Sequence, residues 1–321
     1  MKKPTSRKDR KQKESKKINK VLKTIAIILL IVASGFSMYI FKIVNDVSKT
    51  TKEIHSEVRE KEERRPEIVN VDSGEAPFSV LLMGIDSGDM GRNDEGRSDT
   101  MILLTVNPNE KKSTIISIPR DTYTEIVGHG TKDKINHAYA FGGPSMAINT
   151  VQNLFDIPVD YYVSVDMRGL KELINALNGI EVVPELTFTQ GKYNFIKDEP
   201  ITLGGAAALE YSRMRKQDPQ GDYGRQKRQR EIIESSINKV ASFSTIMNYA
   251  EILTTLENNM STNLTFTDMK DIFESYRDAA NTIKEDQLSG VGEYINGIYY
   301  EIISDEEIAR VSNVLKEQLE I

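Results

Sequence analysis

The sequence predicts an α/β fold in which a mixed central β-sheet is sandwiched by helices and preceded by one transmembrane helix. Three observations carry that reading. Short apolar runs of strand length, FSVLLMGID (Phe78–Asp86), TMILLTVNP (Thr100–Pro108) and STIISIP (Ser113–Pro119), are followed by an alternation of helical and strand-like segments. The second and third runs are separated only by the turn-rich NEKK, which makes them an antiparallel hairpin and the sheet therefore mixed. Thr24–Phe41 is a run of eighteen residues without a charge.

Residues 1–23 hold eleven Lys and Arg against Asp9 and Glu14, a net charge of +9, so the rest of a chain whose total is −6 carries −15. As a helix the uncharged run spans roughly 27 Å at about 1.5 Å per residue, close to a bilayer core of about 30 Å. Val21–Leu22 and Ile43–Val44 extend it as Lys23 and Lys42 snorkel, giving a span at 24–44. The lysines on its N-terminal side place that side in the cytoplasm, so the chain reads as a single-pass type II protein of the cell membrane with residues 45–321 outside. VASG offers a signal-peptide alternative, which the length of the apolar run opposes. A basic block beside a membrane segment is explained by topology and the lipid bilayer, so no nucleic-acid partner is inferred. There is no cysteine, hence no disulfide framework and no thiol chemistry.

Residues 45–76 read as an extracellular stalk, helical up to Pro66, then a loose linker, with His55 as a solvated surface residue. Residues 77–321 form the globular domain, for which 39% hydrophobic content across 321 residues supplies a core. Asp86 ends the first strand, the polar loop SGDMGRNDEGRS leads to Asp99 at the start of the second, and the hairpin returns the third to the same edge. Asp86, Asp99 and Arg120 should therefore meet at one end of the sheet. Further on, Ser145–Asp156 reads as a helix after a GGP turn, Val159–Asp166 as a strand, Met167–Asn178 as a helix ended by Gly179, and Ile180–Val183 as a strand. Leu203–Lys216 starts helical and becomes extended, which puts Arg213 and Arg215 on one strand face. A helix from about Arg225 places Gln229 one turn on, on the same face. Residues 241–321 read as helices, a strand pair near Gln287–Ile303 and a last helix at Asp305–Leu319.

The chemistry gathers at loop ends: the carboxylates Asp86 and Asp99, and the cations Arg97, Arg120, Lys134, Arg213, Arg215 and Arg225. Guanidinium forks match phosphate oxygens in pairs, and three or four of them would hold a pyrophosphate. Two carboxylates at one edge suit Mg²⁺, or Mn²⁺ in its place, completed by phosphate oxygens and water. The alternative is that these charges pair with one another as surface salt bridges. His137 is an acid–base candidate against the alternative of a packed, hydrogen-bonded ring, and His129 reads as a loop residue. No G-x-S-x-G, Walker lysine or zinc spacing is present.

The segments LLMGIDS, GRSDTMILLTVNP, IISIPRDTY, DKINHAYAFGG, VDYYVSVD, LEYSRMRK and GDYGRQKRQREII together resemble the LytR-CpsA-Psr family of bacterial cell-wall assembly enzymes, with the core motifs at 78–240. The likeness is closest to its Gram-positive members that attach wall teichoic acid to peptidoglycan. The resemblance implies a Mg²⁺-assisted phosphotransferase of the Gram-positive envelope. Its donor would be an undecaprenyl-pyrophosphate-linked anionic glycopolymer, its acceptor a peptidoglycan sugar hydroxyl, and its product a phosphodiester. It implies metal binding by Asp86 and Asp99, and pyrophosphate binding by Arg120, Arg213, Arg215, Arg225 and Gln229, with Lys134 beside them. Arg120 and Asp99 are the catalytic candidates. For the general base, Asp99 and Asp222 stay open, with Asp99 acting mainly through the metal. Asp121 reads as an orienting partner of an arginine. The polyprenyl tail needs an apolar tunnel, for which the faces Ala147–Phe155 and Leu170–Leu177 are candidates, with plain core as the alternative. Two rival functions use the same residues: a lipid-pyrophosphate phosphatase with water as acceptor, and a membrane-tethered regulator or wall-binding module without catalysis.

Overall fold

The computed structural model describes residues 49, 53–58, 60–65, 69–86, 96–242, 252, 255–256 and 259–321. The expected membrane span at 24–44 and most of the loop between Asp86 and Asp99 lie outside them. Among the described residues no helix is long and apolar enough to cross a membrane.

The central sheet is mixed, as the hairpin argument required. Its strands run in the order β11 (Met260–Thr262), β6 (Tyr161–Asp166), β1 (Phe78–Asp86), β2 (Arg97–Asn107), β3 (Lys112–Ser117), β12 (Ile283–Gln287). β1 pairs in parallel with β6, and β3 with β12; β1–β2, β2–β3 and β6–β11 are antiparallel. Directly opposed residues share a face, so the register divides the sheet into two sides. Leu81, Met83, Met101, Leu103, Ile116 and Tyr162 pack under α1 (His137–Phe155) and α6 (Asp305–Leu319) in one continuous core. Each such fully buried side chain contributes about 1.5–3 kcal/mol.

The second side faces α2 (Met167–Ala176) and α4 (Asp222–Ala241): Gly169 of α2 approaches Val165, and Arg230 of α4 donates from Nη1 to Ser117 Oγ at 2.8 Å. A second core, with Ile174, Phe195, Leu203, Tyr211 and Ile232, lies between α2, α3 (Gly205–Arg213), α4 and two short ribbons. These ribbons are β7 (Ile180–Val182) with β10 (Ile201–Leu203), and β8 (Phe188–Gln190) with β9 (Tyr193–Phe195). The strand expected at Ile180–Val183 thus belongs to a ribbon outside the main sheet, a pairing that single-strand periodicity cannot reveal.

Caps fix where the helices begin. Asp166 accepts from Gly169 N at the start of α2, and Ser304 from Glu307 N at the start of α6. Thr265 and Asp268 form a reciprocal capping box on α5 (Phe266–Ser275). α1 begins at His137, before the expected start, and breaks at Gly142 and Gly143, with Pro144 opening the second piece. Ala147, Ile148, Val151 and Phe155 of that piece are fully buried core, so this face lines no tunnel.

Two further expectations are corrected. The described part of the stalk and linker lies against the domain: Ile54 is buried, His55 Nδ1 is 3.2 Å from Leu264 O, Ser56 N donates to Thr262 O, and Glu62 N donates to Asn149 Oδ1. Ile54 and Val58 supply the apolar contacts that a composition-based reading of this charged stretch overlooks. Arg213 closes α3 and no strand follows. Met214 alone is extended and buried, with exposed Arg213 and Arg215 on either side of it.

Candidate functional site

The sheet's C-terminal edge at β3 collects the charges. After β3, Pro119 accepts from both the backbone N–H and the hydroxyl of Thr122, at 3.0 and 2.7 Å, making a turn whose two central residues are Arg120 and Asp121. The chain then forms the ribbon β4 (Tyr123–Ile126) and β5 (Thr131–Lys134), which brings Lys134 back opposite Tyr123 and beside the turn. Asn136 N donates to Arg120 O, tying the first residues of α1 to the same turn.

Asp99 arrives by a different device. The β1–β2 register runs Gly84 to Thr100 and then Ile85 to Ser98, so Asp99 is the additional residue of a β-bulge. Bulges bend a strand and re-aim a side chain, and Asp99 is thereby offered to the turn. Its Oδ2 lies 2.8 Å from Arg120 Nη1 and its Oδ1 accepts from Asn136 Nδ2 at 3.3 Å. Asp121 Oδ1 takes Lys134 Nζ at 2.6 Å and its Oδ2 is 3.7 Å from Arg120 Nε, the orienting role expected for it. From α4, Asp222 Oδ1 stands 2.8 Å from Arg225 Nη2 and 3.9 Å from Arg215 Nε.

The electrostatics of the two central arginines differ. Burial works against the charge of Arg120, but Asp99, Asp121 and Asp222 outweigh it and raise its pKa. Burial lowers that of Arg225, and the positive charges of Arg120 and Arg215 lower it further, against the partial compensation of Asp222 and Asp99. The pKa of mostly buried Arg225 is thus lowered despite the Asp222 carboxylate 2.8 Å away. The Nε atoms of both Arg120 and Arg225 are buried without a hydrogen-bond partner. An unpaired buried donor on a cation costs more than a neutral one, and an anion's oxygen is the kind of acceptor each of them lacks.

Asp86 ends β1 opposite Arg97, two residues along β2 from the bulged Asp99. Two carboxylates on adjacent strands beside an anion seat fit a hard divalent cation that takes one or two protein carboxylates and completes its shell with phosphate oxygens and water. Among the described residues no group of three or more acidic or imidazole side chains forms a metal cage by itself.

The structure therefore brings together Asp99, Arg120, Lys134, Arg215 and Arg225, with Asp86 at the neighbouring strand end. Arg213 is exposed at the end of α3 and has no ion-pair or hydrogen-bond partner among the described residues. Gln229 is half-buried one turn after Arg225 on α4.

Several residues went unassigned in the sequence. Asn136 orients Asp99, and the DKIN stretch beside it was visible without a reason to single out its asparagine. Arg228 donates from Nη1 to Asp218 Oδ2 at 2.6 Å and from Nη2 to Met214 O, and Arg230 from Nε to Glu285 at 2.9 Å. The Arg228 pair braces the segment that carries Arg213 and Arg215, and the Arg230 pair ties α4 to β12. Tyr223 and Glu301, joined at 2.5 Å, clamp α4 to the hairpin β13 (Val291–Ile295) and β14 (Ile298–Ile302). His137 Nδ1 lies 2.8 Å from Asp133 Oδ2, the packed, hydrogen-bonded arrangement.

Comparison with known proteins identifies the family. The profile of the LytR_cpsA_psr family matches residues 38–317. A polyisoprenyl-teichoic acid–peptidoglycan teichoic acid transferase TagU of Enterococcus faecalis is 50% identical over 278 residues, covering 87% of this chain and 90% of the relative. The crystal structure of Bacillus subtilis TagU superposes with a TM-score of 0.64 at 44% identity, covering 77% of this chain and 98% of that one. A structure of TagT bound to LIIa-WTA superposes with a TM-score of 0.70 at 32% identity, over 82% and 97% of the two chains. With the family profile spanning most of its length and half of its aligned residues shared with such a relative, the chain belongs to the LytR-CpsA-Psr family.

Proposed function

We propose that this chain is a membrane-anchored phosphotransferase that moves an anionic glycopolymer of the wall teichoic acid type from an undecaprenyl-pyrophosphate carrier to a peptidoglycan sugar hydroxyl. The observation that carries the reading is the gathering of Arg120, Lys134, Arg215 and Arg225 around Asp99, Asp121 and Asp222. Two phosphates joined by a bridging oxygen have the charge and the number of acceptors to fill it.

In the reaction the acceptor oxygen attacks the phosphorus that carries the polymer. A new P–O bond forms, the bond to the lipid-side phosphate breaks, and the lipid leaves as its monophosphate. Arg120 and Arg225 hold the diphosphate in line and spread the negative charge that shifts toward the leaving group. Arg215 and Arg213, on either side of buried Met214, present exposed guanidinia to the outer phosphate oxygens and to the polymer's own charges. Asp99, fixed by Asn136, keeps Arg120 oriented, and Asp99 and Asp222 are the two candidates to take the acceptor's proton. Mg²⁺ held by Asp86 and Asp99 would neutralise charge on the leaving phosphate.

The prenyl tail needs an apolar bed, and the second side of the sheet supplies one. Leu82, Gly84, Thr100, Leu104, Val163 and Val165 share that side by register and are only half-buried although their strands are interior. Leu170 and Leu173 of α2, partly buried at the rim of the second core, belong to the same bed. Anchoring through residues 24–44 keeps the domain within reach of a donor that itself resides in the bilayer. The test is to incubate the full-length chain in detergent with a lipid-pyrophosphate glycan and a peptidoglycan oligomer. Linked polymer with lipid monophosphate supports the transferase, whereas free glycan phosphate formed at the same rate without acceptor would make it a hydrolase.

A further inference from the structure

One surface beside the site has no role in holding phosphate. The hairpin β13–β14 turns at Asn296 and Gly297, both with positive φ, and leaves Val291 74%, Tyr294 72% and Ile298 50% exposed. Tyr294 and Tyr299 are opposed across the ribbon, with ring centroids 5.6 Å apart at 72°. The Tyr299 ring lies so close over Gly292 that a Cβ there would stand 2.7 Å from its Cε2, and the ring carries its hydroxyl to Glu301 Oε2 at 2.8 Å. Glu301 Oε1 takes the hydroxyl of Tyr223, the residue after Asp222, and Tyr223 Oη in turn accepts from Gly290 N at 2.9 Å. Glu301 N also donates to Asp121 O. The aromatic face of the hairpin is therefore fixed to both walls of the phosphate cluster. The Tyr299 hydroxyl feels that proximity: burial, Glu301 and then the charges of Asp121 and Asp222 push its pKa up to about 12.

The charge of this rim names its partner. Between Lys284 and Arg310 the sequence has no Lys or Arg; Glu285 and Asp286 are paired with Arg230 and Arg310, and Glu301 is taken by two tyrosines, so the hairpin offers no cation and Glu293 as its free carboxylate among the described residues. An anionic lipid surface or a phosphate-rich polymer finds no cation to bind on such a rim. An uncharged sugar ring needs none: its C–H face packs on a tyrosine ring and its hydroxyls exchange hydrogen bonds with the exposed phenol of Tyr294. We propose that the Tyr294–Tyr299 face is the docking platform for the acceptor, an uncharged N-acetylhexosamine strand. It would lie beside the arginines that hold the anionic donor, joined to them through Asp121 and Tyr223. This rests on the transferase reading, and it adds that donor and acceptor are sorted by charge between adjoining surfaces.

The experiment titrates the full-length chain in detergent with chitotetraose, an uncharged N-acetylglucosamine tetrasaccharide, followed by saturation-transfer NMR, with no donor present. Wild type is compared with Tyr294→Ala, whose side chain lies at the exposed end of the hairpin and touches none of the phosphate-binding residues. The expected result is saturable binding by wild type, weakened about tenfold in Tyr294→Ala, a change of about 1.4 kcal/mol. In two-substrate kinetics the acceptor KM rises by the same factor while the donor KM holds. Equal glycan affinity in the two proteins overturns the proposal, and so does absence of binding to wild type. Loss in Tyr294→Ala of association with phosphatidylglycerol vesicles, at unchanged glycan affinity, overturns it in favour of a membrane contact. Failure of the transferase reading shows separately, as a wild type that binds the tetrasaccharide but forms no linked product from donor.

Discussion

Truncating Arg120 to alanine gives the most informative single perturbation. Its guanidinium is held by Asp99 at 2.8 Å, and its Nε is buried with no hydrogen-bond partner and 3.7 Å from Asp121. The free edge has two donors to offer a diphosphate, and charge-assisted hydrogen bonds contribute about 1.5–3 kcal/mol each. Losing both removes about 3–6 kcal/mol of transition-state stabilisation, a fall of about 10²- to 10⁴-fold in kcat/KM. Arg120→Lys keeps the charge but not the fork, and should recover only about tenfold of that loss. The side chain is 22% exposed and lies outside both apolar cores, so the thermal midpoint should move by no more than about 4 °C, the shift for about 1 kcal/mol in a domain of this size. The assay is formation of linked polymer by the full-length chain at varied donor concentration, with a melting curve on the same preparation. Turnover within about threefold of wild type by a folded Arg120→Ala protein would refute the assignment of Arg120 to the diphosphate.

Other expectations follow from the same geometry. Asp99→Asn retains a partner for Asn136 but loses the charge facing Arg120, and should lower the rate together with the response to added Mg²⁺; an unchanged metal titration would remove Asp99 from the metal site. Gly205→Ala forces a Cβ to within 2.0 Å of Lys171 O, where α3 crosses α2, and should cost at least about 1–3 kcal/mol in denaturant unfolding. Arg228→Met strands the carboxylate of Asp218, whose side chain is 4% exposed, and should cost about 3–5 kcal/mol; a neutral effect would mean that Asp218 finds water or neutralises. Burial raises the pKa of Glu231 despite hydrogen bonds from Tyr211 and Val183. Its contribution to stability is therefore fully present below the usual glutamate pKa and is lost as pH rises through the raised folded value. Glu231→Gln should accordingly gain on wild type as pH goes from about 4 to about 8, read as the difference between their unfolding midpoints.

The legible part of this molecule was its strand ends. Once the second and third apolar runs were read as a hairpin, antiparallel geometry obliged Asp99 and Arg120 to share an edge, and the 2.8 Å pair follows from it. The bulge that offers Asp99 was not legible, since an extra residue in one strand appears only when its partner's register is known. The arginines of YSRMRK…GRQKRQR were legible as a set and not as individuals. Arg225 and Arg228 are three apart and share a helix face by spacing alone, yet Arg225 joins the phosphate cluster whereas Arg228 is spent on Asp218 and Met214. Those partners lie on a turn whose path the sequence leaves open. Likewise the two-residue spacing of Arg213 and Arg215 suggested a strand, whereas one extended residue at the end of a helix produces the same alternation.

The central claim is that the cluster built on Arg120 and Arg225 seats a diphosphate, and direct binding tests it without any assumption about the acceptor. Calorimetric titration of the full-length chain with a short-chain prenyl pyrophosphate should show binding that is at least about tenfold weaker for the corresponding monophosphate and for Arg225→Gln. Equal affinity for all three combinations would contradict it.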